Sequence, residues 1–418
     1  MQTLTIEGGK KLCGEIQIQG AKNSALPLLA ATILGQGETI LTNCPKLTDI
    51  YAACRILSYL GCRCKADGNT VIVNTSSLTD FVVPDDLMRE MRSSIIFLGA
   101  ILGRLGECKL SFPGGCELGP RPIDMHLSAL RKMGVTIKEE YGILDCRVEN
   151  ELKGAKITLP FPSVGATENI MLAAALAKGE TEIRNAAREP EIVDLANYLN
   201  CCGAKVFGAG ESTITIVGVE SLTGCQYSIM PDRIVTATYL CAAAITGGEL
   251  NLTKTCVEDL DSIIPVMEEM GCTIYPYADN IYVNNSKKIL KPVKMIRTMP
   301  HPSFPTDAQA IIMATLCKAN GTSIFVENIF ESRFKHVSEL LKMGADIKVE
   351  GKVAIVEGVD KLYGTTVSAT DLRGGAALVL AGLIADGTTT VTNIRHIDRG
   401  YEEIEKVLNS VGANIIRK

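Results

Sequence analysis

The sequence predicts an α/β fold of six repeated βαβαββ-like units, arranged as two globular domains of three units with a cleft between them. Two observations support this prediction: two glycine phrases recur six times in step, and Ala-rich apolar stretches alternate with amphipathic ones. The chain has 418 residues, 46% of them hydrophobic, which is enough to fill more than one core.

One glycine phrase, meaning a short recurring sequence pattern, consists of a Leu or Met, several mixed residues, a glycine and then alternating apolar residues. It recurs at intervals of 68–73 residues, with its glycines at Gly61, Gly134, Gly203, Gly271, Gly344 and Gly412. The other phrase lies 23–28 residues earlier and places an Ala-rich stretch before a glycine and a strand, at Gly37, Gly106, Gly179, Gly248, Gly321 and Gly387.

Each unit is therefore predicted to contain a buried Ala-rich helix that ends at its glycine in the C′ position, then a strand. An amphipathic helix ending at the second glycine and a strand hairpin complete it. The repeat is longer than those of the familiar solenoids, and polar-faced end units are absent. We therefore expect two closed globes of three units, with a ligand site in the cleft between them.

Composition excludes several classes of function. The net charge is −5 and the isoelectric point about 5.6, so no overall positive field favours nucleic acid or an acidic membrane surface. We find no apolar stretch long enough for a signal peptide or a membrane span, so we expect a cytoplasmic protein. The fifteen cysteines are odd in number and irregularly spaced, which indicates reduced thiols that act as small hydrophobic residues.

The sequence offers no motif for a metal or a nucleotide cofactor. It has four histidines, and its cysteine pairs lack a second ligand pair, so a structural zinc site is not expected. The GAG at 208–210 leads into another strand, which indicates a hairpin turn, and no GxxxxGK[ST] loop is present.

Several segments contain charged or nucleophilic side chains that the fold itself does not require. In GAKNSALP, Lys22 and Asn23 precede a helix whose free N–H groups favour anions, although a solvated lysine in a linker is the alternative. In PGGCELGPRP, glycines and prolines present Cys116 on a loop, and Arg121 lies near enough to favour the thiolate or to bind the same anion.

Asp307 in HPSFPTDAQA has two interpretations that the sequence leaves open. It precedes an apolar helix, so that it or Thr306 can cap that helix, or its carboxylate can serve as a general base. Arg333, Arg373 and Arg399 each follow the last strand of a repeat or open a helix. With three further cations they suit a substrate with phosphates and a carboxylate, and the full set is Lys22, Arg92, Arg121, Arg333, Arg373 and Arg399.

A set of motifs identifies a resemblance that covers essentially the whole chain. In order, they are AKNSALPLLAA, MRSSI, PGGCELGPRPIDMH, SVGATENIM, MPDRI, FPTDAQA, SRFKH, ATDLRGG and HIDRGYEEIE. Together they closely resemble the UDP-N-acetylglucosamine 1-carboxyvinyltransferases, a family of enolpyruvyl transferases. The resemblance implies an inside-out α/β barrel fold, with residues 1–21 plus 232–418 in one domain and residues 22–231 in the other.

The resemblance also implies an activity. The enolpyruvyl group of phosphoenolpyruvate would move to the 3′-hydroxyl of UDP-N-acetylglucosamine with release of phosphate, the first committed step of peptidoglycan precursor synthesis. It implies no metal or organic cofactor, and the expected partners are these two small molecules, without nucleic acid or membrane. The sequence does not fix the oligomeric state, and a monomer is the expectation.

Roles carried over from the family fall on residues that match its motifs. Cys116 would be the general acid, Asp307 would be the base, and Lys22 and Arg399 would join them as catalytic residues. Phe161 stands where certain members carry a lysine, which puts one nucleotide contact in doubt. The substrate-binding residues would be Lys22, Asn23, Arg92, Arg121, Pro122, Ile123, Asp124, Met125, Ser163, Val164, Gly165, Asp307, Ile329, Arg333, Asp371, Leu372, Arg373 and Arg399.

Three other functions fit parts of the sequence. Enolpyruvyl transfer to shikimate 3-phosphate uses a similar six-unit fold, but that family lacks the PGGC loop. A catalytically silent relative that only binds a nucleotide sugar would be favoured by the loss of Lys22, Cys116, Asp307 or Arg399, and all four are present. A scaffold without a small ligand leaves the six cations unexplained.

Overall fold

The computed structural model describes residues 2–112, 123–286 and 289–418, and it describes Arg92 by its backbone alone. The helices in these residues are α1 (Lys22–Ala31), α2 (Thr48–Tyr59), α3 (Asp85–Glu90), α4 (Phe97–Leu105), α5 (Asp124–Lys132), α6 (Val164–Ala174), α7 (Pro190–Cys201), α8 (Arg233–Thr246), α9 (Ile264–Glu269), α10 (Thr306–Leu316), α11 (Val337–Lys342), α12 (Leu372–Gly382) and α13 (Ile404–Ser410).

The strands are short and follow the helices in a regular alternation. They are β1 (Leu4–Glu7), β2 (Cys13–Gln17), β3 (Gly35–Gln36), β4 (Glu38–Thr42), β5 (Arg63–Asp67), β6 (Thr70–Asn74), β7 (Val82–Val83), β8 (Glu107–Ser111), β9 (Val135–Glu140), β10 (Ile143–Val148), β11 (Lys156–Thr158), β12 (Glu180–Arg184), β13 (Lys205–Phe207), β14 (Thr213–Val217), β15 (Leu222–Thr223), β16 (Gln226–Ser228), β17 (Glu249–Thr253), β18 (Thr273–Tyr277), β19 (Asn280–Asn284), β20 (Ile296–Arg297), β21 (Thr322–Val326), β22 (Asp346–Glu350), β23 (Val353–Glu357), β24 (Thr366–Ser368), β25 (Thr388–Thr392) and β26 (Ile415–Arg417).

The chain divides into two compact units, each with its own hydrophobic core. Unit 1 contains the described residues 2–19, 231–286 and 289–418, and unit 2 contains 20–112 and 123–230. The four-stranded sheets of unit 2 are β16-β4-β6-β5, β7-β8-β10-β9 and β11-β12-β14-β13. Those of unit 1 are β18-β19-β17-β2, β20-β21-β23-β22 and β24-β25-β1-β26. The predicted α/β class and the six repeated units are confirmed.

The six four-stranded sheets share one pattern of strand directions, when β18-β19-β17-β2 is read from β2. In β11-β12-β14-β13, for example, the first strand runs parallel to the second, and the other two pairings are antiparallel. Strands from distant parts of the chain complete three of the sheets: β1 pairs with β25 and β26, β2 with β17, and β16 with β4. The chain therefore passes from one unit to the other after Gln19 and again after Met230.

The Ala-rich helices form the inner layer of each unit. In unit 2, α4 packs against α1 and α6, and in unit 1, α8, α10 and α12 pack against one another. Every residue from Ala308 to Leu316 of α10 is buried, as is every residue from Ala166 to Ala174 of α6. Small side chains allow this close approach: a Cβ on Gly99 of α4 would lie 2.2 Å from the carbonyl oxygen of Asn169.

The glycines that follow the amphipathic helices behave as predicted. All six have φ between 89° and 106°, the left-handed region that favours glycine. After α2, the N–H of Gly61 donates to Ser58 and that of Cys62 to Leu57, which is the hydrogen-bond pattern of a Schellman C-cap. The prediction of helix ends at these six positions is confirmed.

The prediction that each Ala-rich helix ends at its glycine is wrong in most of the six repeats. Gly106 does end α4 in the left-handed conformation, but α8 ends at Gly247 and not at Gly248. The remaining four helices end before their glycine, at Ala31, Ala174, Leu316 and Gly382. There the chain makes a further turn after the helix, and the glycine forms the bend into the next strand.

Candidate functional site

Asp307 is the second residue of α10, but it does not cap this helix. The N-cap is Pro305, and no side chain accepts a hydrogen bond there. The hydroxyl of Thr306 points instead to both carboxylate oxygens of Glu327, at 3.2 and 3.1 Å. Of the two interpretations that the sequence left open, the capping role is excluded.

Two buried arginines hold the Asp307 carboxylate. Arg333 Nη2 lies 3.1 Å from Asp307 Oδ1, and Arg373 Nη2 lies 3.3 Å from Oδ2. The arginine side chains are each 2% exposed, whereas that of Asp307 is 29% exposed. Arg333 also donates to the carbonyl of Thr306 at 2.9 Å, so its guanidinium is fixed to the first turn of α10. This geometry stabilises the ionised carboxylate and leaves part of it open to a ligand.

Arg373 is fixed in turn by Tyr401. Its Nη1 donates to the Tyr401 hydroxyl at 3.2 Å, and its guanidinium lies 5.5 Å from the centre of the tyrosine ring. The same hydroxyl lies 2.9 Å from the Thr238 hydroxyl. Burial raises the pKa of Tyr401 even though Arg373 opposes the shift, so the phenol remains protonated.

Asp371 is the N-cap of α12 and lies beside this cluster. Its Oδ1 accepts hydrogen bonds from the N–H groups of Arg373 and Gly374 at 3.1 and 3.0 Å. Burial alone would raise the pKa of Asp371, but the charge of Arg333 and the Gly374 N–H lower it below the ordinary value. Arg333 Nη1 lies 4.0 Å from this carboxylate, so Arg333 contacts two acidic groups of unit 1.

The remaining sequence-predicted residues of unit 1 lie on adjacent turns. Ile329 follows β21, and its N–H donates to Glu327 Oε1 at 2.8 Å. Leu372 is the first residue of α12 and is partly buried. Arg399 ends the 3₁₀ turn Ile394–Arg399 and is also partly buried.

In unit 2, Lys22 is buried and paired. It is the first residue of α1, and its Nζ lies 2.7 Å from Asp49 Oδ2 at the start of α2. Asn23 beside it is exposed, and Ser24 donates a hydrogen bond to the buried Asp194 of α7. The interpretation of Lys22 as a solvated linker lysine is therefore wrong, because folding fixes this cation at a helix start.

Ser163 is the N-cap of α6, where it satisfies two backbone groups of the first turn. Its hydroxyl accepts from the N–H of Ala166 at 3.3 Å, and its carbonyl accepts from that of Thr167 at 3.0 Å. Val164 and Gly165 form the start of the helix and are partly buried. Their own N–H groups belong to a first turn that has no acceptor inside the helix.

A neutral hydrogen-bonded network lies beside this helix start. Asn169 of α6 accepts from the N–H of Gly99 at 2.6 Å and donates to the carbonyl of Ile95 at 3.0 Å. Its amide nitrogen also lies 2.8 Å from Nδ1 of His126, on α5. Burial lowers the pKa of His126 to about 4 against the opposing charge of Asp124, so the imidazole is neutral at neutral pH.

The remaining predicted residues lie on or near α5 and α4. Cys116, Arg121 and Pro122 lie outside the described residues. Ile123 is the N-cap of α5, Asp124 is its exposed first residue, and Met125 is partly buried. Arg92 begins the 3₁₀ segment Arg92–Ile96 that leads into α4.

Sequence reasoning missed the residues that support the candidate groups. These residues are Asp49, Asn169 and Tyr401, which contact Lys22, His126 and Arg373 respectively. No local signal marks them, since their partners are distant in sequence. The described residues contain no group of three or more His, Cys, Asp or Glu side chains placed to hold a metal ion. Within the same residues, no helix is both long and apolar enough to span a membrane.

Comparisons with known proteins assign the chain to a family. A family model for EPSP synthase (3-phosphoshikimate 1-carboxyvinyltransferase) matches residues 6–408. The chain is 52% identical over 417 residues to a protein of Caldanaerobacter subterraneus named UDP-N-acetylglucosamine 1-carboxyvinyltransferase 2. It is 50% identical over 418 residues to one of Nitratidesulfovibrio vulgaris named UDP-N-acetylglucosamine 1-carboxyvinyltransferase. Both alignments cover 100% of each chain.

Solved structures support the same assignment. The enolpyruvyl transferase NikO from Streptomyces tendae superposes with a TM-score of 0.91 at 27% identity, covering 100% of this chain and 99% of that one. EPSP synthase from Acinetobacter baumannii superposes with a TM-score of 0.79 at 19% identity and full coverage of both chains, a likeness of fold alone. The chain therefore has the enolpyruvyl transferase fold and belongs to the EPSP synthase family, within which its similar relatives are named UDP-N-acetylglucosamine 1-carboxyvinyltransferase.

Proposed function

We propose that the chain transfers the enolpyruvyl group of phosphoenolpyruvate to the 3′-hydroxyl of UDP-N-acetylglucosamine and releases phosphate, the first committed step of peptidoglycan precursor synthesis. One observation carries the proposal: relatives named for this reaction align with the entire chain at 46–52% identity. The charged cluster around Asp307 supports it, because a substrate with several negative charges needs fixed cations.

The chemistry requires one acid and one base. Cys116 donates a proton to C3 of phosphoenolpyruvate while the 3′-oxygen attacks C2, and Asp307 accepts the proton of the 3′-hydroxyl. Positive charge develops at C2 in this step, so fixed carboxylate and phosphate groups nearby lower its energy. The Cys116 thiolate left by this step then takes a proton from C3, the C2–O bond to phosphate breaks, and the double bond is restored.

Asp307 suits the role of base because its partners keep it ionised. Arg333 and Arg373 each bind one of its oxygens, and the partial exposure of its side chain leaves room for a hydroxyl. In the proposal, Arg333 also binds phosphoenolpyruvate, together with Lys22, Asn23, Arg121 and Arg399. Asp371, Leu372 and Arg373 stabilise the substrate-bound state.

The nucleotide sugar binds mainly through residues of unit 2. The start of α6 contributes backbone N–H groups, which together with the helix dipole favour a diphosphate. The residues proposed to line this site are Arg92, Arg121, Pro122, Ile123, Asp124, Met125, Ser163, Val164, Gly165 and, from unit 1, Asp307 and Ile329.

Phosphate release tests the reaction directly. The purified chain is given phosphoenolpyruvate with UDP-N-acetylglucosamine or, separately, with shikimate 3-phosphate. We expect release of one phosphate per acceptor consumed with the nucleotide sugar and none with the shikimate ester. Release with the shikimate ester alone would replace the proposal by the activity named in the family model.

Thiol alkylation tests the role of Cys116 as the general acid. Epoxides of the fosfomycin type should alkylate Cys116 and abolish turnover, and mass spectrometry of the digested protein locates the adduct. Cys116→Asp keeps an acid but no soft nucleophile, so we expect turnover without alkylation. Full inhibition with Cys116 unmodified, or an inactive Cys116→Asp enzyme that is folded, would contradict the role.

The proposal also includes a cellular compartment and an oligomeric state. Both substrates are small anionic metabolites of the cytoplasm, so we place the enzyme there. We expect it to act as a monomer without a metal or organic cofactor. Light scattering during turnover, and activity after treatment with a chelator, test these two points.

A further inference from the structure

The start of α6 presents hydrogen-bond donors. Its eleven residues begin at Val164, and Ser163 accepts from the N–H groups of Ala166 and Thr167. The first-turn N–H groups of Val164 and Gly165 have no acceptor within the helix. They and the helix dipole together favour an anionic group at this point.

The imidazole of His126 faces the same point. A Cβ built on Gly165 would lie 3.2 Å from His126 Cε1 and 3.5 Å from Nε2, so this edge of the ring is directed at the second residue of α6. Only 6% of His126 is exposed, so packing fixes the orientation of the ring. A glycine at 165 leaves open the space that a side chain would fill.

The hydrogen bonds of Asn169 determine which imidazole nitrogen carries the proton. The N–H of Gly99 can only donate, so the Asn169 atom that faces it at 2.6 Å is the amide oxygen. The amide nitrogen therefore faces Ile95 O and His126 Nδ1, and it donates to both. Because Nδ1 accepts, the proton of the neutral ring lies on Nε2, the nitrogen directed at Gly165.

We infer that His126 donates a hydrogen bond from Nε2 to a phosphate oxygen of the nucleotide sugar, bound at the start of α6, and that Asn169 is the positioning residue that fixes this tautomer. The inference rests on the proposed function. Among the residues that the structure describes, neither these two backbone N–H groups nor the imidazole N–H has a hydrogen-bond acceptor. Three such donors match a diphosphate, since its unesterified oxygens only accept.

NMR of the wild-type protein tests the tautomer and the contact. Long-range proton–nitrogen spectra of the imidazoles distinguish the two neutral tautomers, and the His126 signals are those among the four histidines that vanish in His126→Phe. We expect the Nε2–H form, with a downfield shift of that proton when UDP-N-acetylglucosamine is added. An Nδ1–H tautomer, or an Nε2–H signal that the ligand does not move, overturns the inference.

Affinity measurements test the same contact. His126→Phe keeps a planar ring but removes the donor, so we expect it to weaken UDP-N-acetylglucosamine about 10- to 100-fold by calorimetry. Binding of uridine, which has no phosphate, followed by NMR, should change less than about twofold. Equal weakening of both ligands, or of neither, overturns the inference.

The outcomes separate this inference from the proposed function. A wild-type protein that neither binds UDP-N-acetylglucosamine nor releases phosphate with it contradicts the proposed function. A wild-type enzyme that turns over, beside a His126→Phe variant with unchanged affinity, contradicts the role of His126 alone. If His126→Phe does not fold, His126→Gln supplies the missing signals, and the wild-type spectra decide.

Discussion

The starts of α6 and α10 occupy equivalent places in two repeats, yet they are used differently. Each follows the short first strand of its repeat, β11 or β20, and each helix is buried along most of its length. The start of α6 is capped by Ser163 and carries no charge in its first turn. The start of α10 has no side-chain cap and carries Asp307 between Arg333 and Arg373.

The difference shows that the repeat fixes the place of a helix start, while the first-turn side chains determine which groups are presented there. At α6, the backbone donors of Val164 and Gly165 have no acceptor within the helix, and we propose that they bind an external anion. At α10, the protein supplies its own carboxylate and two arginines to hold it. In the proposed function, the same scaffold therefore provides a binding surface in one repeat and a reactive group in the other.

Replacing the carboxylate at α10 is expected to have the largest effect. Asp307→Asn keeps the shape of the side chain but cannot accept the hydroxyl proton, so we expect kcat to fall by about 10³-fold. The assay is phosphate release at saturating substrates, after circular dichroism has shown that the variant is folded. Asp386→Asn, at a surface pair with Lys361, is the matched control and should retain full activity. If kcat of the Asp307→Asn enzyme stays within tenfold of wild type, Asp307 is not the general base.

Acid should destabilise both units through one buried histidine in each. Burial lowers the pKa of His126 and of His336 to about 4, and Asp124 in one case and Asp371 in the other oppose the shift. Arg333 adds to the lowering at His336. Between the ordinary value near 6.5 and pH 4, the unfolded chain binds more protons than the native one. Stability therefore falls as the pH falls, by up to about 3 kcal/mol per histidine.

A variant of His336 isolates one of these contributions. Its Nδ1 lies 3.2 Å from the carbonyl of Arg333, so His336→Phe loses that hydrogen bond at every pH and is less stable at pH 8. Because phenylalanine does not titrate, we expect the deficit to shrink as the pH falls toward 4. Urea unfolding at several pH values measures it, and a deficit that stays constant would contradict the assigned shift.

Adding a methyl group at the start of α6 should affect binding and spare chemistry. In Gly165→Ala the new Cβ lies 3.2 Å from His126 Cε1, so the ring or the helix start must move. We expect the KM for UDP-N-acetylglucosamine to rise about tenfold, with kcat and the KM for phosphoenolpyruvate changed less than threefold. A fall in kcat with no change in that KM would place Gly165 in the chemical step and break the contrast with α10.

The sequence predicted the scaffold better than the contacts within it. The glycines after the amphipathic helices are local signals, because the backbone of Gly203 or Gly412 must adopt a left-handed conformation whatever the rest of the chain does. The ends of the Ala-rich helices were misplaced because an apolar run does not mark its last helical turn. The partners of Asp307 lie 26 and 66 residues away, and no local pattern encodes such pairings.

The smallest expected effects come from the scaffold glycines and should be equal in the two units. Gly203 of unit 2 has φ +100° and Gly412 of unit 1 has φ +106°, with no atom closer than 3.4 Å to a Cβ at either position. Alanine at each is therefore strained by its backbone alone, and we expect each variant to lose about 1 kcal/mol of stability. Asparagine, which tolerates this conformation, should lose less. Urea midpoints and kcat are compared for the two alanine variants, and kcat should match wild type because neither glycine borders the candidate residues. A loss of turnover in only one of them would mean that the repeat carries function as well as shape in that unit.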